Sequence, residues 1–149
     1  MSITREQVIT TARSYKGVRF QHQGRTPLGL DCVGLLIIVA HNVGYTDYDF
    51  TTYDRVPDGK LFWQAMCRHL HSVDGLDEVR PGDVLLMKYH LFPQHVAFVS
   101  EVLPEGRGWK IIHAFNHRGV IEHDLDERWL ESNRAKIYGA FSLFAPEPV

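Results

Sequence analysis

The sequence predicts an α+β domain, and three observations carry that prediction. Apolar residues recur at helical spacing through roughly the first half of the chain, then change to strand-like alternation after Arg80-Pro81-Gly82-Asp83. The stretch from Val33 to Ala40 is apolar on nearly every side, so one helix must be central to the core. There is no internal repeat and no second hydrophobic unit, so residues 1–149 read as one domain.

The elements follow in order. Thr4 and Gln7 form a capping box, with Ile3 and Val8 at the spacing of a hydrophobic staple, and the helical pattern runs from about 4 to 15 before Gly17 stops it. Gly24, Pro27 and Gly29 mark residues 18 to 31 as a loop. Asp31 then caps a helix from about 32 to 43, with Gly44 as the residue after its end. Tyr45 to Pro57 reads as an ordered surface loop. A third helix spans about 59 to 70 from Asp58, with Leu61, Phe62, Ala65, Met66 and Leu70 on one face and Cys67 expected to pack in the core. Strands are expected from Val84, at His95 to Val102, Trp109 to Phe115, Gly119 to His123 and Ile137 to Phe144. A helical turn or two is expected at Asp126 to Ser132. The result is a group of N-terminal helices packed on a C-terminal antiparallel sheet of about five strands.

Composition narrows the function classes. Hydrophobic residues make up 44% of the chain and the formal net charge is −2, which gives no electrostatic case for nucleic acid. The longest uncharged apolar run is far short of a membrane span, so no membrane insertion is expected. Met1 to Glu6 has no apolar signal core, so the chain is expected to be made in the cytoplasm with its two cysteines, Cys32 and Cys67, reduced.

Cys32 lies in the first turn of the apolar helix, where unpaired backbone N–H groups and the helix dipole favour a thiolate. That makes it a candidate nucleophile, and a nucleophile needs a base. Among nine histidines, His95 opens one strand and His113 lies in the next strand of the same hairpin. Closing the hairpin about Pro104 pairs them directly; closing it about Gly106 sets them diagonally. Either register puts both imidazoles on one face. With a cysteine at a facing helix tip this has the logic of a Cys-His-X triad, in which His95 takes the thiol proton and His113 orients His95.

The order Asp31-Cys32-x-Gly34, Arg80-Pro81-Gly82-Asp83-Val84, His95-Val96-Ala97 and Ile112-His113-Ala114 resembles the NlpC/P60 cysteine peptidases, which have a papain-like core. More narrowly it resembles the small phage-encoded cell wall peptidases found beside tail assembly proteins, where Phe20-Gln21-His22-Gln23 and Arg118-Gly119-Val120-Ile121-Glu122 also have counterparts. The resemblance implies Cys32 as nucleophile, His95 as general base and His113 as third polar residue, with no cofactor. It implies a peptidoglycan stem peptide as substrate, cut between D-γ-glutamate and a diamino acid. It also implies phage tail proteins as partners, and a site of action at the cell wall from a virion tail. Asp31, Val33, Phe20 and His22 are the candidate substrate-binding positions. Val33 stands where many members of the family have serine, and Phe20 where a tyrosine is frequent. His95-Val96-Ala97 leans toward the related CHAP amidases, while Asp31-Cys32-x-Gly34 does not.

Two rival classes remain. A zinc hydrolase would draw ligands from His69, His71, His90, His113 and His117, but no H-E-x-x-H or paired C-x-x-C spacing is present, and no metal is expected. The other is a structural or binding component of a phage tail that keeps a little-used peptidase fold.

Overall fold

A computed structural model describes residues 2–49, 59–89 and 92–146. Helix α1, Arg5–Arg13, begins with both halves of the capping box: Gln7 N–H donates to Thr4 Oγ1 at 3.1 Å, and Thr4 N–H donates to Gln7 Oε1 at 2.8 Å. The expected loop contains a small hairpin, β1 (Arg25–Thr26) with β2 (Gly29–Leu30). Its strands are too short to show a period, so Pro27 and Leu28 read only as a turn. Helix α2, Cys32–Asn42, follows and stops in a Schellman arrangement, with Gly44 N–H on the His41 carbonyl and Tyr45 N–H on the Ala40 carbonyl. Gly44 takes φ of +81° there, where a side chain would be strained. The loop expected from Tyr45 to Pro57 is irregular as far as Asp49. Its remainder, with Asp58 and His90, lies outside the described residues.

Helix α3, Gly59–His69, buries Phe62 and Met66. Cys67, one step beyond that face, is exposed rather than packed in the core. After it come β3 (His71–Val73), β4 (Val84–Tyr89), β5 (Phe92–Val102), β6 (Trp109–Phe115), β7 (Gly119–Leu125), helix α4 (Glu127–Ser132) and β8 (Lys136–Ser142). Except for β1 and β2 these strands form one antiparallel sheet of six, in the order β3-β8-β4-β5-β6-β7. The extra member relative to expectation is β3, a short and mostly exposed edge strand whose His71-Ser72-Val73 carries no apolar alternation.

The sheet is covered on both faces. Val84, Leu86, Val96, Phe98, Ile112 and Ala114 meet the core residues of α1, α2 and α3. Leu85, Met87, Ala97, Val99 and Ile111 face the other way, where Trp129 and Leu130 of α4 pack on them. Alternation along each strand produces this division. The Arg80-Pro81-Gly82-Asp83 turn ties α1 to the sheet: Arg5 Nη1 donates to buried Asp83 Oδ1 at 2.7 Å, and Arg80 N–H donates to Asp83 Oδ2 at 2.9 Å. At the other end of α1, Arg13 and Lys16 pair with Glu122 of β7.

Candidate active site

The turn into α2 fixes the backbone of Cys32. Asp31 is the N-cap; its Oδ1 accepts from Gly34 N–H at 2.7 Å and from Arg25 Nη1 at 3.2 Å, and its Oδ2 accepts from Gln23 N–H at 2.7 Å. Both carboxylate oxygens are thereby engaged, and the residue is 3% exposed. Gly34 lets this turn close on the loop before it, because a Cβ there would collide with the Gly24 carbonyl oxygen. The Asp31-Cys32-x-Gly34 spacing is thus a positioning device, holding one cysteine at the start of a helix that the core grips on all sides.

The strands explain what Cys32 meets. Gly82 N–H donates to the Val99 carbonyl at 2.7 Å and Val99 N–H to the Asp83 carbonyl at 2.8 Å, so Val99 directs its backbone groups to the β4 side. By alternation the backbone groups of Val96 and Phe98 point toward β6. The β5–β6 ladder runs from Val102↔Trp109 only as far as Phe98↔Ile112, whereas β4 stays paired with β5 to Met87↔His95 and beyond. The two strands are no longer paired at Val96, whose backbone N–H favours the charged form of Cys32.

His95 and His113 lie across that parting. His95 Nε2 is 2.6 Å from His113 Nδ1, and both residues are almost completely buried. A bulge between Val99 and Glu101 shifts the register, and projected from Phe98↔Ile112 it sets the two histidines diagonally, on one face as expected. That face is not the one α2 covers. The histidines share the parity of Ala97, Val99 and Ile111, and Phe115 and Trp129 pack beside them. The body of α2 packs on the opposite face, through Val96 and Phe98, with Cys32 in its first turn.

The hydrogen-bonded series continues past His113. His113 Nε2 is 2.8 Å from His123 Nε2, and His123 Nδ1 is 2.9 Å from the Asp124 carbonyl oxygen. Sequence reasoning missed His123, though the parity argument that joins His95 to His113 also reaches it: β6 pairs with β7 at His113↔Ile121, which leaves His123 diagonal on the same face.

Electrostatics at the site follow from burial. Burial, with a smaller contribution from His123, pushes His95 down to about 3. Burial and the two neighbouring imidazoles hold His113 well below its ordinary value. The Cys32 thiol is pushed up to about 12, first by burial and then by the Asp31 carboxylate, against the N–H groups of Val96, Val33 and Cys32 itself. Desolvation thus works against the thiolate that the helix N-terminus favours, and burial favours the neutral rings of His95 and His113.

The remaining candidates lie around the turn. Val33 is buried and lines an apolar cavity between α2 and α3 with Leu36, Phe62, Met66 and Val96. Phe20 is half-buried against the main core and bridges to Leu30. His22 is half-exposed in the turn before Gln23.

Comparison with known proteins completes the picture. The NlpC/P60 family matches over residues 17–137. No curated protein matches the chain in sequence. Among solved structures, an NlpC/P60 family protein from Bacillus cereus ATCC 10987 is 20% identical with a TM-score of 0.62, over 92% of this chain and 39% of that one. The NlpC/p60 domain of the peptidoglycan hydrolase SagA is 21% identical with a TM-score of 0.59, over 94% of this chain and 99% of that one. NlpC2 from Trichomonas vaginalis is 14% identical with a TM-score of 0.64, over 98% of this chain and 49% of that one. The chain spans about two fifths of the length of the Bacillus cereus protein. At these identities the likeness is one of fold. The six-stranded sheet with its helices matches theirs, and with the family match extending over most of its length this chain belongs to the NlpC/P60 family.

Proposed function

We propose that the chain is a cysteine peptidase acting on peptidoglycan stem peptides, with Cys32 as nucleophile, His95 as general base and His113 as its orienting partner. The observation that carries this reading is the 2.6 Å contact between buried His95 and His113 on β5 and β6, the strands against which α2 packs with Cys32 in its Asp31-capped first turn. Family membership and the structural likeness to a peptidoglycan hydrolase domain support the substrate class.

The chemistry follows from the resting charges. A neutral thiol and a neutral imidazole cannot attack as a preformed ion pair, so the proton passes from Sγ to His95 as sulfur bonds to the scissile carbonyl carbon. The carbonyl oxygen becomes an oxyanion, which the Cys32 backbone N–H at the helix N-terminus stabilises. Collapse of the tetrahedral intermediate breaks the C–N bond while His95 returns the proton to the leaving amine. A water, deprotonated by His95, then hydrolyses the thioester and restores the thiol. His113 keeps His95 in one ring orientation throughout.

The substrate bond in this reading is D-γ-glutamyl to diamino acid, with Asp31, Val33, Phe20 and His22 around the turn that presents Cys32. Asp31 acts there as the cap rather than as a direct contact, since both its oxygens are engaged. The phage tail setting rests on the resemblance of the motifs alone, and proteomics of purified virions tests it. A second reading is a tail component with a little-used peptidase fold, toward which burial and the Asp31 carboxylate point by pushing the Cys32 thiol up.

Mass spectrometry of muropeptides incubated with the wild type and with Cys32→Ala decides between them. Products from the wild type alone, with a new free amine on the diamino acid, bear out the peptidase. Products from both proteins, or from neither, overturn it.

A further inference from the structure

We propose that His123 is a positioning residue: through hydrogen bonds to His113 and the Asp124 carbonyl it sets the tautomers of His113 and His95 so that His95 Nδ1 bears the lone pair. The inference rests on the reading of His95 as the base, because a base needs a ring nitrogen that carries a lone pair.

The polarity of the series is set at its far end. A carbonyl oxygen only accepts, so the 2.9 Å bond to the Asp124 oxygen requires a hydrogen on His123 Nδ1. When the His123 ring carries this single hydrogen, its Nε2 holds a lone pair. That lone pair is 2.8 Å from His113 Nε2, which must then be the donor. His113, neutral in its buried setting, keeps a lone pair on Nδ1, 2.6 Å from His95 Nε2, which must donate in turn. The polarity of all three bonds is thereby fixed by one backbone oxygen. Without an acceptor at position 123, His113 is equally able to carry its hydrogen on Nδ1, and His95 Nε2 would then become the acceptor and Nδ1 the protonated nitrogen.

His123 is held in place to do this. The indole of Trp129 lies beside it, ring centroids 5.3 Å apart and planes 30° from parallel, and also contacts the His113 ring edge-on at 6.2 Å. Trp129 is itself anchored at the start of α4, where its N–H donates to the Asp126 cap at 2.9 Å. A surface histidine with no role beyond packing would not need its two nitrogens aligned with a buried imidazole on one side and a carbonyl on the other.

Long-range proton–nitrogen NMR on the intact protein with labelled histidine reads the tautomers without substrate. With the three rings uncharged, His95 and His113 are expected as Nε2–H forms and His123 as the Nδ1–H form. His123→Leu removes the acceptor and is expected to give His113 and His95 mixed tautomers, with Cys32 alkylation by iodoacetamide slowed about tenfold. His123→Gln, whose amide oxygen can accept from His113 while its NH2 donates to Asp124, is expected to restore both the tautomers and most of the rate. His95 found as Nδ1–H in the wild type overturns the proposal, as does His123→Leu with unchanged tautomers. A wild type with the stated tautomers that releases no muropeptide sustains the role of His123 while the peptidase reading fails.

Discussion

His95 Nε2 lies 2.6 Å from His113 Nδ1 across the point where β5 and β6 cease to pair. The bond therefore does what the ladder no longer does there, joining the two strands. His113→Leu removes the acceptor and leaves His95 able to turn, whereas His113→Asn can still offer an amide oxygen. Muropeptide release by the leucine variant is expected to fall by about 10²-fold or more in kcat with little change in KM, and the asparagine variant to lie between it and the wild type. A leucine variant with wild-type kcat would remove His113 from the mechanism.

The neutral thiol makes a prediction about reagents. Cys67 is exposed, whereas Cys32 is half-buried and desolvation and the Asp31 carboxylate push its thiol up. In the absence of substrate, iodoacetamide at pH 7 is expected to modify Cys67 before Cys32, with the Cys32 rate rising steadily into alkaline solution. Asp31→Asn keeps a capping oxygen but removes the charge, so it is expected to speed Cys32 alkylation. Peptide mapping after timed quenching reads both. Faster labelling of Cys32 than Cys67 at pH 7 would show that the helix N-terminus outweighs burial after all.

Stability should depend on pH through the buried imidazoles. His95 is lowered to about 3 from the ordinary value of 6.5, so in the folded state it stays neutral where the unfolded chain binds a proton. Its contribution is complete above pH 6.5 and is lost progressively as pH falls toward 3. Between pH 7 and pH 5 His95 alone costs about 2 kcal/mol, and His113, lowered in the same sense, adds to it. Glu122 works in a lower window: burial would raise its carboxyl, but Arg13, Ser100 and Lys16 bring it to about 2, so its contribution fades only below its ordinary 4.5. Urea melts at pH 7, 6 and 5 separate the two, and equal stability at all three would contradict neutral burial of the histidines.

How much of this was legible in the sequence depended on the reach of each signal. The capping box of α1, the apolar α2 and the Arg80-Pro81-Gly82-Asp83 turn are written in contiguous residues, and each appears where the pattern puts it. The shared parity of His95 and His113 came out as expected for a reason the sequence does not show: the hairpin closes in the Val102↔Trp109 register, which alone would put them on opposite faces, and the bulge near Ser100 shifts it by one and returns them to one face. What a strand pattern does not say is which face a given helix covers. That was settled by Val96 and Phe98, the bulkier alternate set, which took the side of α2. The charge state of Cys32 was illegible for a similar reason: the local dipole is readable from position, but desolvation depends on everything that packs over the thiol. Cys67 failed as a core residue by one step of helical phase. His123 was within reach of the parity argument and was passed over among nine histidines.

The placement of Cys32 rests on a close approach of backbone to backbone, which gives the last prediction. A Cβ at Gly34 would meet the Gly24 carbonyl oxygen and crowd Arg25 Nη1 and Asp31 Oδ1, both at 3.1 Å. Neither the helix nor the loop can yield without breaking the Asp31 hydrogen bonds to Gly34 and Gln23. Gly34→Ala is therefore expected to cost about 2–3 kcal/mol, as overpacking of a tight contact does. Gly44→Ala, with open space around its Cβ but φ of +81°, is expected to cost about 1 kcal/mol from backbone strain alone. The two also differ in what they disturb. Gly34→Ala displaces the first turn of α2 and should depress muropeptide release beyond its effect on stability, while Gly44→Ala, at the far end of the helix, should leave turnover of the folded protein unchanged. Chemical denaturation paired with initial rates on folded samples measures both. A Gly34→Ala protein as active and as stable as the wild type would show that the turn is not what holds the nucleophile.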